Sequence, residues 1–175
     1  MKVVETKIDG VVVLEPEPQS DNRGYFARVW DRDVLAGRGL DVQVAQSSVA
    51  FNAVAGTLRG IHFQAEPDGE SKTIRCTRGA IWDVAVDLRA DSPTRHQWVG
   101  VELSAVDGRS LYVPRGCAHG YVTLADETEV SYQISAPYRP EAARGLRWDD
   151  PSLAITWPVG VACISERDAA WPLLA

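Results

Sequence analysis

His62 is one of only three histidines in the chain and sits among apolar residues in Gly56-Thr57-Leu58-Arg59-Gly60-Ile61-His62-Phe63-Gln64. Imidazole titrates near neutral pH, so this side chain can take and return a proton under working conditions. Arg59, in the same stretch, can grip a phosphate or carboxylate through paired hydrogen bonds. Together they predict a proton-transfer site acting on an anionic substrate.

A regular strand would send Arg59 and His62 to opposite faces, because strand side chains alternate. For both to reach one pocket the strand must carry a bulge, and Gly60 is its natural place. Other chemistry-bearing residues have plain structural readings. Lys72 opens Lys72-Thr73-Ile74-Arg75-Cys76 and, as an isolated lysine, reads as a surface residue. Tyr132 shares a face with Val130 and Ile134, so it points inward and reads as a core tyrosine with a tethered hydroxyl. In Ile81–Leu88, Trp82, Val84, Val86 and Leu88 form an apolar core face. The opposite face carries Ile81, Asp83, Ala85 and Asp87, and it either meets solvent or lines a barrel interior. A β-barrel metal site needs a second histidine close to the first, but Phe63 and Gln64 follow His62. His96 follows a Ser-Pro-Thr turn and reads as surface, which leaves only His119 to join His62, so no metal is expected. No phosphate-binding glycine loop, dinucleotide fingerprint or nucleophile elbow is present.

The elements that position these residues read as one all-β domain over residues 1–175. Residues 2–15 predict one or two strands, 15–22 a loop, 23–30 a strand and Asp31–Gly39 a short helix capped by Asp31 and ended by Gly37 or Gly39. From Val42 onward short strands follow at 42–50, 58–64, 72–78, 81–88, 97–104, 110–113, 119–124 and 128–135. Turn formers separate them, a pattern of sandwiches and barrels. The tail, with Trp148, Trp157 and Trp171, predicts irregular chain and short helical turns packed on the β core. A net charge of −6 argues against binding nucleic acid or an anionic membrane. Three cysteines without CxxC spacing predict reduced thiols in a cytoplasmic protein. The first residues show no signal-peptide pattern, and no apolar run reaches membrane-spanning length.

Several of these motifs in order resemble the dTDP-4-dehydrorhamnose 3,5-epimerase family. They are Asp21–Phe26, Gly56–Gln64, Asp83–Arg89, Ser92-Pro93-Thr94, Val113–Gly120 and Trp148–Pro151, and the match runs over nearly the whole chain. The resemblance implies a cupin-type jelly roll with short peripheral helices. It also implies an isomerase without cofactor that inverts centres α to the ketone of a dTDP-linked 4-keto-6-deoxy sugar. His62 would be the base, oriented by Asp168, with Asp83 as second candidate. Tyr132 would be the opposed acid, and Lys72 would stabilise the enolate. Arg23, Arg59 and His119 would hold the substrate, especially its diphosphate. Gln46 and Ser48 would meet the nucleotide and Tyr138 would stack near thymine or sugar, with Phe26, Arg28 and Arg167 as further substrate contacts. The family resemblance also implies a homodimer, with N-terminal strands crossing the interface. Arg28 and Ala143 stand where the family carries acids, and Ser48 where asparagine is common. Related scaffolds invert one centre, or move the ketone from C4 to C3. A cupin-like module that binds a nucleotide sugar without turning it over is the reading from another class.

Overall fold

Short alternating apolar runs, punctuated by Gly, Pro and Asp, fold as strands along most of the chain. The computed structural model describes residues 1–174, so Ala175, the end of the expected domain span, lies outside the described residues. Its N-terminal part comprises β1 (Lys2–Glu5), β2 (Val12–Glu15), β3 (Gln19–Asp21), β4 (Gly24–Phe26), α1 (Arg32–Ala36) and β5 (Gln46–Asn52). The central part comprises β6 (Thr57–Gln64), β7 (Lys72–Arg78), β8 (Ala80–Asp87), β9 (Trp98–Ser104), β10 (Ser110–Val113), β11 (Cys117–Thr123) and β12 (Thr128–Ile134). The tail adds β13 (Ala143–Gly145), β14 (Cys163–Ile164) and α2 (Glu166–Ala169).

Two sheets form from these strands. The first has the order β1-β2-β10-β7-β12-β5, and the second β13-β6-β11-β8-β9 with β14 alongside β6. Strands distant in sequence are neighbours in both sheets, the jelly-roll arrangement. Between them lies a core of Ile74, Cys76, Leu111 and Val130 from the first sheet against Ile81, Ala85, Leu103 and Tyr121 from the second. Each outer face is covered as well. Leu35 of α1 packs on Val12, Leu14 and Tyr112, with Trp30 and Leu40 beside it. Leu153, Ile155 and Trp157 of the tail pack on Val84, Val86 and Ala118. Full burial of Leu35 alone contributes about 1.5–3 kcal/mol.

Several sequence expectations need correction. In β8 the Trp82-Val84-Val86 face is core as expected, but on the outer side of its sheet, where the tail covers it. Asp83 and Asp87 point into the interior and are fully buried. The expected strand at 23–30 is confined to β4, and part of the expected 15–22 loop is its hairpin partner β3. The strand expected from Val42 begins at Gln46. The helix stops at Ala36 with Gly37, the earlier of its two expected ends, as C-cap, and Asp31 caps its start as anticipated, accepting from the backbone N–H groups of Asp33 and Val34. The tail is less irregular than its composition suggests, since β13 and β14 both add to β6. Isolated two- and three-residue strands carry no periodic signal, so only the edge they pair with creates them.

Candidate active site

Strand β6 provides the first wall. His119 of β11 pairs with His62, yet Tyr121 pairs with Arg59, so two steps on β11 answer three on β6. The extra residue falls at Gly60-Ile61, where the bulge is expected. Gly60 has φ 140°, and a Cβ there would lie 2.5 Å from the Cα of Gly120. Only glycine meets both conditions. The bulge buries Ile61 under the tail and turns both Arg59 and His62 towards one cavity of about 340 Å³.

The carboxylate that orients His62 comes from the tail. His62 Nε2 lies 2.7 Å from Asp168 Oδ1, and the Gly60 N–H donates to Asp168 Oδ2 at 3.2 Å. The Trp171 indole N–H donates to Oδ1 at 3.3 Å. Asp168 sits in α2, where Ser165 caps the helix by accepting from the Asp168 N–H. Burial pushes the Asp168 carboxyl up, but its bonds to His62, Gly60 and Trp171 outweigh this and hold it below the ordinary range. An ionised carboxylate only accepts, so the ring proton of His62 belongs on Nε2. Nδ1 is then the lone pair that can receive a proton. Trp171 packs edge-on against the imidazole, with centroids 6.2 Å apart.

The opposite wall belongs to the other sheet. Tyr132 of β12 and Lys72 of β7 line the same cavity. Burial, then the neighbouring Tyr121 hydroxyl, push the Tyr132 phenol well above its ordinary value, so it keeps its proton. Lys72 is not the surface residue its isolation in sequence suggests. Its side chain is 11% exposed, and Nζ lies 2.8 Å from Glu70 Oε1.

A second histidine–carboxylate pair lies beneath. His119 Nε2 is 2.6 Å from Asp83 Oδ1. Burial raises the Asp83 carboxyl above its ordinary range, against the opposing pull of His119 and Lys72. Asp83 therefore serves His119, and Asp168 serves His62. Asp87 is structural, held by Arg89, Ser92 and Thr94.

The remaining wall carries groups suited to an anionic nucleotide. Arg59 Nε donates to Asn52 Oδ1 at 2.8 Å, which aims the guanidinium. Gln46 and Ser48 of β5 line the cavity, and Gln46 Oε1 accepts from the Tyr138 N–H at 3.0 Å. Arg167 lies over the Trp171 ring, 5.0 Å from its centroid. Arg23, Phe26 and Arg28 do not join this cavity within the chain. Arg23 pairs with Asp21 on the β3–β4 hairpin, Phe26 is 77% exposed and Arg28 pairs with Asp31. Sequence reasoning missed Glu70, Asn52 and the role of Trp171. Glu70 stands two residues before Lys72, a spacing that puts both on one strand face and was the available signal. Among the described residues, no group of three or more His, Cys, Asp or Glu is placed to hold a metal ion.

The sequence profile described as dTDP-4-dehydrorhamnose 3,5-epimerase matches residues 5–175. The chain is 45% identical over 165 residues to a dTDP-4-dehydrorhamnose 3,5-epimerase of Sinorhizobium fredii, spanning 94% of this chain and 85% of that one. It is 39% identical over 176 residues to a dTDP-4-dehydrorhamnose 3-epimerase of Streptomyces niveus, spanning 100% of this chain and 84% of that one. The crystal structure of the Bacillus anthracis 3,5-epimerase, with TDP and PPi bound, superposes with a TM-score of 0.95 at 43% identity over 99% of both chains. The fold is thus the cupin-type jelly roll of these enzymes. Sequence, fold and the residues gathered in the cavity agree: the chain belongs to the dTDP-4-dehydrorhamnose 3,5-epimerase family.

Proposed function

We propose that this protein, as a single domain, epimerises a dTDP-linked 4-keto-6-deoxyhexose at the carbons flanking its ketone. The observation that carries this reading is the placement of His62–Asp168 on one sheet, facing Tyr132 and Lys72 on the other across one cavity. Hydrogens α to a ketone are acidic because the electrons left behind move onto the carbonyl oxygen. His62 removes such a proton, and the C–H electrons form the enolate C=C bond while the C4 oxygen takes the charge. The Lys72 ammonium stabilises that charge where water is scarce. Tyr132 then donates its proton to the same carbon from the other face, the C4 carbonyl re-forms, and the centre is inverted. The phenolate and imidazolium exchange protons with solvent and reset. Arg59, His119 and Arg167 supply positive or hydrogen-bonding groups for the diphosphate, with Gln46, Ser48 and Tyr138 placed for the nucleoside.

The working unit is a homodimer. Supporting this, Tyr25 and Phe26 on the β3–β4 hairpin are 61% and 77% exposed, and Val49 and Phe51 on edge strand β5 are 63% and 51% exposed. Apolar side chains of this size seek a partner surface. In the dimer the hairpin carries Arg23, Phe26 and Arg28 to the partner subunit's cavity, which accounts for their distance from their own. Free Cys76, Cys117 and Cys163 fit a reducing, cytoplasmic setting. No helix among the described residues is long and apolar enough to cross a membrane.

Turnover of dTDP-4-keto-6-deoxyglucose in heavy water tests the reading. Deuterium at both C3 and C5 of the product identifies the double epimerase, and deuterium at C3 alone the reaction named for the Streptomyces niveus relative. A ketone found at C3 would identify an isomerase. Absence of deuterium would identify a binding module and overturn the proposal.

A further inference from the structure

Glu70 has no part in the chemistry described above, yet its side chain is 9% exposed and it lines the catalytic cavity. An acid buried in a pocket for a diphosphate is costly and repels the ligand unless it has a specific task. Its surroundings are built to hold it still. Ser71, between Glu70 and Lys72, is buried, its N–H donates to Ser135 Oγ at 2.8 Å, and its carbonyl accepts from the Ser135 N–H at 3.0 Å. With the middle residue pinned on both backbone groups, Glu70 and Lys72 fall on the same side.

An ammonium has three N–H donors. Lys72 directs one to Glu70 Oε1 at 2.8 Å and one to the backbone carbonyl of His62 at 3.3 Å. In a tetrahedral group two fixed directions set the third. We propose that Glu70 is a positioning residue: with the His62 carbonyl it forms a two-point anchor that aims the third N–H of Lys72 at the enolate oxygen. The anchor also ties the cation to the strand that carries the base, so the removed proton and the developing oxyanion are addressed from one rigid frame. A lysine on a flexible stem would otherwise have to order itself during each turnover.

The inference rests on Lys72 being the enolate's cation, so the test separates the two. Solvent-deuterium wash-in, kcat and KM are measured for Glu70→Gln, Glu70→Ala, Lys72→Met and the Glu70→Gln/Lys72→Met double variant, with thymidine diphosphate binding confirming a folded pocket. Glu70→Gln keeps the shape and loses the charge. It is expected to lower kcat and wash-in by about ten- to a hundredfold with KM little changed, and Glu70→Ala by at least as much. In the Lys72→Met background the Glu70→Gln change should cost nothing further, because the residue acts through the lysine. Parent-like kcat in Glu70→Gln, or an equal additional loss in the double variant, overturns the positioning role. Parent-like wash-in in Lys72→Met overturns the assignment of the cation itself. A Glu70→Gln variant that no longer binds thymidine diphosphate would show Glu70 to be structural, which also overturns the proposal.

Discussion

At the scale of the residue, the chemistry rests on where protons are held. His62→Ala removes the proposed base and is expected to lower deuterium wash-in by about 10²–10⁴-fold while leaving thymidine diphosphate binding nearly intact. Asp168→Asn tests the orienting carboxylate, since an amide can present its NH₂ and hold the wrong tautomer, so wash-in should fall by about a hundredfold or more. His62 was legible in the sequence as a rare histidine among apolar residues, whereas Tyr132 read as a core tyrosine and took its role only from the family resemblance. The choice between Asp168 and Asp83 was not legible, because each is a lone aspartate whose partner is set only by tertiary contact. Asp87 tests the electrostatics of the frame. Burial opposes its ionisation, yet bonds from Arg89, Ser92 and Thr94 prevail and hold its carboxyl well below the ordinary range. A depressed carboxylate stabilises the fold fully above its unfolded pKa, about 3.9, and less as pH falls towards the folded value. Urea unfolding between pH 7 and pH 3 should show the parent losing stability below about pH 4. Asp87→Asn should be less stable at pH 7 and lose less on acidification.

At the scale of the element, the bulge in β6 joins sequence to function. It followed from parity alone, since only an extra residue lets Arg59 and His62 share a face. The Gly60→Ala substitution would press a methyl carbon against the Gly120 backbone. It is expected to lower thermal stability and to abolish wash-in by turning Arg59 or His62 away. Normal turnover in a stable Gly60→Ala protein would show that the close approach of β6 and β11 is not required. The tail was the least legible element. Its two short strands and four-residue helix exist because β6 offers an open edge and Ser165 a cap, neither of which creates a local period. The family resemblance placed Asp168 in the site, whereas the β8 alternation marked its apolar face as core but left open whether Asp83 and Asp87 meet solvent or the interior, because it could not reveal what the tail would cover.

At the scale of the molecule, alternation and turn spacing indicated an all-β barrel-like domain, but not the partition of strands between sheets. That partition puts His62, the proposed base, on one sheet and Tyr132 and Lys72, the proposed acid and cation, on the other. Among the described residues it also leaves Tyr25 and Phe26 of the β3–β4 hairpin and Val49 and Phe51 of the β5 edge exposed. If the proposed homodimer pairs through this edge, a Val49→Glu/Phe51→Glu variant is expected to sediment as a monomer. A variant that sediments as the parent does would contradict pairing through this edge. The opposed walls themselves are tested most directly by Tyr132→Phe, with solvent-deuterium wash-in and net inversion measured in the same reaction. His62 has a side chain 41% exposed and can exchange its proton with solvent. Wash-in should therefore persist on the face His62 serves, while inversion falls by about a hundredfold or more. Equal loss of wash-in and inversion, or inversion at the parent rate, would contradict a base and an acid acting from opposite sheets.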